Sequence, residues 1–231
     1  LQGNEVRNVV ELKMGNFDAM IEQAINFFRN GKKVLVIRNT VSEAVKTYET
    51  LKKVVDKVMI IHSRMTLHDR KSIEDKLKAY RPDEKGEKVI LVSTQVAEAS
   101  LNIDFDVLIT DIAPIDSLVQ RMGRIYRKRE WLEKSPNTFV YVGKDTKEFS
   151  TLFSGVYNKD VIMKTLEAIG DISSNREFSK EKDLLDHLVN ISSLHLTEAE
   201  KKEWVEKTYQ KLKDEDRQYI RTFYETLDTL D

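Results

Sequence analysis

Short apolar runs spaced by amphipathic stretches constrain this chain more than anything else in it. Val34-Leu35-Val36-Ile37 and Val89-Ile90-Leu91-Val92 are continuous rather than alternating. A strand half exposed to water alternates, whereas one covered on both faces is apolar throughout. Six strands are expected on this basis: Val6–Leu12, Lys33–Arg38, Val58–Ile61, Lys88–Val92, Val107–Thr110 and Thr138–Val142. Helical periodicity falls between them at Phe17–Phe28, Ser42–Val55, Leu67–Tyr80 and Ser117–Met122. In the first of these, Met20, Ile21, Ala24, Ile25 and Phe28 share one face. Repeated strand–helix units of this kind imply an α/β fold, a doubly wound and mainly parallel sheet with helices on both faces. Ligands of such sheets gather outside the carboxyl ends of the strands.

From about Asp145 the pattern changes to helices at Asn158–Ile169, Lys180–Asn190, Glu198–Leu212 and Asp214–Leu227, with no strand expected. Thr197 and Glu200 have the spacing of a capping box. The expected organisation is a sheet domain over residues 1–145 and a helical appendage over 146–231. With 231 residues, 40% hydrophobic and 33% charged, the chain can bury a proper core. Its formal net charge of -1 gives no global signal for nucleic acid, so any such surface must be local. There are no cysteines, which excludes disulfides, thiolate metal sites and cysteine nucleophiles. No apolar run is long enough to span a bilayer and no signal-peptide pattern opens the chain, so a cytoplasmic location without membrane association is expected.

Two segments carry chemistry. Ser93-Thr94-Gln95-Val96-Ala97-Glu98-Ala99-Ser100-Leu101-Asn102-Ile103-Asp104-Phe105-Asp106 follows one apolar run. Gln120-Arg121-Met122-Gly123-Arg124-Ile125-Tyr126-Arg127 follows another. An isolated cluster of three arginines reads most simply as a solvated basic helix end. The order of strand, Ser-Thr turn, strand and arginine helix makes one spatial unit instead. The two segments resemble motifs V and VI of the superfamily 2 helicases. Their wording, with Ala113-Pro114-Ile115-Asp116-Ser117-Leu118 between them, resembles the helicase-nuclease family of type I CRISPR interference.

That resemblance implies a RecA-like second motor domain. Arg124 and Arg127 would be arginine fingers, Gln120, Glu98, Asn102 and Gly123 would lie at the nucleotide, and Arg121 would form a structural or interdomain ion pair. Ser93 and Thr94 would touch a backbone phosphate. Arg38-Asn39-Thr40 would be motif IV, and His62-Ser63-Arg64 would line the nucleic-acid track. Read from residue chemistry alone, Asn39 and Thr40 serve equally as helix-capping and turn residues, and His62 as a satisfied histidine at a strand end. The family usually has aspartate at the position of Asn102; an amide there lacks the charge to hold a guanidinium strongly. The pair His68-Asp69 lacks the further ligands that a metal nuclease site needs.

No G-x-x-x-x-G-K-[ST] phosphate loop occurs, and Asn30-Gly31-Lys32-Lys33 lacks its first glycine and hydroxyl residue. No DExH segment follows a strand; Asp83-Glu84 sits in a Pro/Gly loop. The expectation is the C-terminal half of an ATP-dependent DNA helicase that shares ATP and Mg with an N-terminal motor domain, in the same polypeptide or another. Its partners by resemblance are single-stranded DNA, that motor domain, a nuclease domain and an RNA-guided surveillance complex, with no metal site in this chain. Two alternatives stand beside it: a noncatalytic nucleic-acid-binding module with relic motifs, and a half-motor of another superfamily 2 branch.

Overall fold

A computed structural model describes residues 5–80, 87–101, 103–127, 129–133, 135–170, 178–191, 194–218 and 220. The strands are β1 (Val6–Lys13), β2 (Val34–Ile37), β3 (Val58–Ile61), β4 (Ile90–Ser93), β5 (Val107–Asp111), β6 (Thr138–Tyr141) and β7 (Leu194–Thr197). The helices are α1 (Phe17–Arg29), α2 (Val41–Lys52), α3 (Leu67–Leu77), α4 (Val96–Ser100), α5 (Ile115–Met122), α6 (Thr146–Phe153), α7 (Lys159–Gly170), α8 (Glu181–Leu188), α9 (Glu198–Lys211) and α10 (Asp214–Arg217). The sheet runs β3-β4-β2-β5-β6-β1-β7. Every pairing is parallel except that of β1 with β7.

The continuous apolar strands are covered on both sides. Val34 and Val36 join Ile90, Val92, Val107 and Ile109 beneath α1 and α2, with Met20, Ala24, Phe28, Ala44 and Leu51 packed on them. Leu35, Ile37, Leu91 and Leu108 face the opposite layer. There they meet α5 through Leu118 and Met122, and the helical part through Leu166, Leu184 and Trp204. Trp204 is fully buried and its indole N–H donates to Thr165 O at 2.9 Å, so this large ring leaves no polar atom unmet. The helices after residue 145 therefore share one core with the sheet.

One expectation is corrected. A strand does lie beyond residue 145: β7 pairs antiparallel with β1, placing Val9 opposite His195 and Val10 opposite Leu194. Its four residues are too few to declare themselves by alternation, and the exposed edge of β1 supplies their hydrogen-bond partners. The chain then turns at once into α9. Thr197 accepts from Glu200 N while the Glu200 carboxylate accepts from Thr197 N, which completes the capping box. Of the last helix expected, Asp214–Arg217 is helical, and residues 221–231 lie outside the described residues.

Candidate functional site

Adjacency in the sheet decides which loops meet. β3, β4 and β2 are neighbours, with Ile61, Ser93 and Ile37 in register. Their carboxyl ends therefore release His62-Ser63-Arg64, Thr94-Gln95 and Arg38-Asn39-Thr40 side by side. Ser63 and Arg64 are exposed. His62 accepts from Arg64 N at 3.2 Å, and partial burial together with the Arg64 charge lowers its pKa. Thr40 caps α2, accepting from Glu43 N at 3.1 Å. Ser93 and Thr94 are buried, and the Ser93 hydroxyl donates to Ile61 O at 3.0 Å, tying β4 to the end of β3. The sheet thus brings the six phosphate-track candidates other than Asn39 to one edge, with Arg64 the exposed cation.

Asn39 belongs to a buried hub centred on Arg121. The Arg121 guanidinium is wholly buried. It donates to Glu98 Oε1 at 2.9 Å, Thr110 Oγ1 at 2.8 Å, Asn39 Oδ1 at 3.1 Å and Tyr157 OH at 3.2 Å. Burial alone would favour losing the proton; Glu98 first, then Tyr157 and Asp111, hold its pKa above the ordinary value. The Asn39 amide donates to Ile112 O at 2.8 Å and Leu152 O at 2.7 Å, so both of its protons stay inside the protein. Beside it, Arg38 pairs with Asp111 at 3.0 Å and Glu43 at 3.0 Å. The hub fastens the ends of β2 and β5 to α5 and, through Tyr157 and Leu152, to the helical part. Glu98 is 2% exposed and faces inward onto Arg121. Gln95, which donates to Asn39 O at 2.7 Å and Tyr157 OH at 3.1 Å, and Tyr157 itself are hub members that pattern reading did not single out: Gln95 stands within the motif V segment without a role assigned to it, and Tyr157 lies outside the motifs.

Arg124 and Arg127 lie one turn farther, where α5 has ended. Arg124 donates to Leu101 O at 3.0 Å and to Glu98 O, so it grips the backbone of the preceding motif. Burial, and then Arg127 beside it, lowers its pKa against the pull of Glu98. The Arg127 amide donates to Asp104 Oδ1 at 3.2 Å, and the other oxygen of that carboxylate accepts from Arg129 at 2.8 Å. Between the two arginines the backbone at Tyr126 has φ +50°, a left-handed conformation that costs an L-residue roughly 1–2 kcal/mol. The Tyr126 ring is held edge-on to Trp131 at 4.9 Å and under the Arg129 guanidinium at 4.3 Å. Gly123, by contrast, has φ -66°, is exposed, and would leave a side chain in ordinary contact. The turn that aims Arg127 is made at Tyr126.

Gln120, Gly123, Arg124 and Arg127 open into one cleft of about 370 Å³, which Arg7, Glu198 and Lys201 complete from β1 and α9. The cleft offers planar cationic donors at one wall, which suits phosphate oxygens. Asn102 lies outside the described residues. His68 is exposed, and Asp69 accepts from the Thr66 hydroxyl at 2.7 Å as part of the α3 cap. No group of three or more His, Cys, Asp or Glu side chains that could hold a metal occurs among the described residues. No helix of the described residues is long and apolar enough to cross a membrane.

Residues 30–130 match the family model described as CRISPR-associated nuclease/helicase Cas3, C-terminal. A CRISPR-associated nuclease/helicase Cas3 of Methanothermobacter thermautotrophicus is 36% identical over 133 residues, 57% of this chain and 15% of that protein. The CRISPR-associated endonuclease/helicase Cas3 of Escherichia coli is 39% identical over 114 residues, 47% and 13% respectively. The chain thus spans about a seventh of the length of these relatives. A crystal structure of a CRISPR-associated protein superposes with a TM-score of 0.65 at 24% identity, over 98% of this chain and 25% of that one. T. fusca Cas3 with AMPPNP superposes with a TM-score of 0.61 at 19% identity, over 100% and 30%. The structural likenesses establish the RecA-like fold. Over residues 30–130 the chain is similar in sequence to the C-terminal part of the Cas3 nuclease/helicase family.

Proposed function

We propose that this chain is the second RecA-like half, with its helical appendage over 146–231, of an ATP-driven DNA translocase acting in CRISPR interference. The observation that carries the reading is the division of labour among three arginines. Arg121 is spent inside the hub, while Arg124 and Arg127 open into a cleft at the protein surface. The nucleotide's phosphates, held with Mg by a first motor domain, would meet Gln120, Arg124 and Arg127 there. Charge that builds on the transferring phosphoryl group is what such guanidiniums stabilise. Asn102 and the exposed Gly123 would border the same nucleotide. Glu98 would act at one remove, fixing Arg121 by its carboxylate and Arg124 by its carbonyl.

Single-stranded DNA would run along the edge formed by Thr40, His62, Ser63, Arg64 and Thr94, with Arg64 supplying a phosphate contact and Ser93 and Asn39 holding the loops in place. Closure of the two halves on ATP would move one DNA track relative to the other. T. fusca Cas3 structures contain AMPPNP and ADP, and a structurally similar chain belongs to a surveillance complex described as pre-nicking. By that likeness the partners proposed are a nuclease domain and an RNA-guided surveillance complex. The test is reconstitution. The purified chain should not hydrolyse ATP, and adding the first motor domain should give turnover stimulated by single-stranded DNA. Turnover by the chain alone would overturn the proposal.

A further inference from the structure

The arginine cleft holds more cation than the helicase motifs put there. Arg7 comes from β1 and Lys201 from α9, yet they line the same cleft as Arg124 and Arg127. Glu198 is the one carboxylate among the described residues of the lining. Lys201 is 3% exposed and pairs with Glu198 at 2.8 Å. Arg7 reaches Glu5 only at 3.9 Å, and its Nε is buried without a hydrogen-bond partner among the described residues, as is the Nε of Arg124. Like charges depress one another here: Lys201 is lowered by burial first and also by Arg7, and Arg124 by burial and by Arg127. Among the described lining residues four side chains are cationic and one is a carboxylate, and a concave, partly desolvated space of that composition favours a bound anion.

We infer that Arg7 and Lys201, together with Arg124 and Arg127, form a polyphosphate site whose occupant is the triphosphate chain of a nucleotide. The inference rests on the nucleotide-facing reading of Arg124 and Arg127 and extends it to two residues outside the helicase motifs. Glu198 holds the place of the ligand: it neutralises Lys201 until phosphate oxygens arrive, and Lys201 then exchanges one anion for the other. Both added residues lie beside the β1–β7 pairing, so occupancy would be felt directly by α9.

Inorganic triphosphate is the probe, titrated calorimetrically into the 231-residue chain at low and moderate salt. Binding is expected, with Lys201→Met and Arg7→Gln each weakening it about tenfold, the loss of one charge-assisted contact. Glu198→Gln is expected to tighten binding, because it removes the competing anion; a purely structural pair would give no gain. Should Lys201→Met fail to fold, Arg7→Gln and Glu198→Gln carry the test. Absence of triphosphate binding overturns the inference, and so does preferential binding of a single-stranded oligonucleotide with the same variant pattern. Weakening by Arg124→Gln and Arg127→Gln, but not by Lys201→Met or Arg7→Gln, overturns the inference and leaves the functional reading standing. The opposite pattern overturns the four-residue site together with the nucleotide-facing reading of the motif arginines.

Discussion

Arg121→Ala should be among the most damaging single substitutions in this chain. The change deletes the counter-ion of Glu98, a carboxylate 2% exposed, and takes the donor from Thr110, Asn39 and Tyr157 as well. Breaking a buried ion pair from one side costs about 3–5 kcal/mol, since the surviving charge stays desolvated. For a domain of this length each kcal/mol lowers Tm by about 2–4 °C, so the loss should be about 6–20 °C. The assay is chemical denaturation and thermal melting of wild type, Arg121→Ala, Glu98→Ala and the double variant. Because the two residues share one contact, the double variant should lose less than the sum of the singles, by about 0.5–3 kcal/mol. A loss below about 1 kcal/mol for Arg121→Ala, or strict additivity, would refute the hub as described.

Two further outcomes follow from particular residues. Arg64→Ala should weaken single-stranded DNA binding and reduce the slope of log K against log salt by about 0.7, the share of one phosphate contact; an unchanged slope would place Arg64 off the track. At Tyr126 a left-handed backbone makes Gly the easier substitute, so Tyr126→Gly should be more stable than Tyr126→Ala by about 1 kcal/mol in denaturant melts, although both lose the ring contacts with Trp131 and Arg129. The reverse order would contradict the conformation at that residue.

The strands were legible because burial on both faces leaves its mark in composition, and the parallel sheet follows from the helices between them. What escaped reading depends on tertiary partners. β7 is a strand because β1 presents an open edge to it, and nothing in Leu194-His195-Leu196-Thr197 announces that. Helix α5 begins at Ile115, two residues before the periodicity suggested, because Pro114 can stand at a helix start without a donor. Asn39 has the chemistry of a phosphate donor at a loop, and only the arrival of Arg121, Ile112 and Leu152 around it commits the amide inward. Glu98 could likewise be placed near Arg121 only once α4 and α5 were packed together. The cleft shows the limit most clearly. Arg124 and Arg127 stand in a motif, whereas Arg7 and Lys201 reach them from elements at opposite ends of the described chain, which a linear pattern does not join.

The most direct test is steady-state ATP turnover of the complete protein carrying Arg124→Ala or Arg127→Ala, measured with saturating single-stranded DNA alongside melting curves. Charge on the transferring phosphoryl group appears only at the transition state, so the loss should fall on kcat, by roughly 10³ or more, with DNA affinity close to wild type; Tm should hold for Arg127→Ala and fall for Arg124→Ala, whose guanidinium donates to Leu101 O and Glu98 O. If instead both variants turn over ATP at the wild-type rate, or if they lose only folding stability while the folded fraction remains fully active, the arginine cleft is not the catalytic face of a motor.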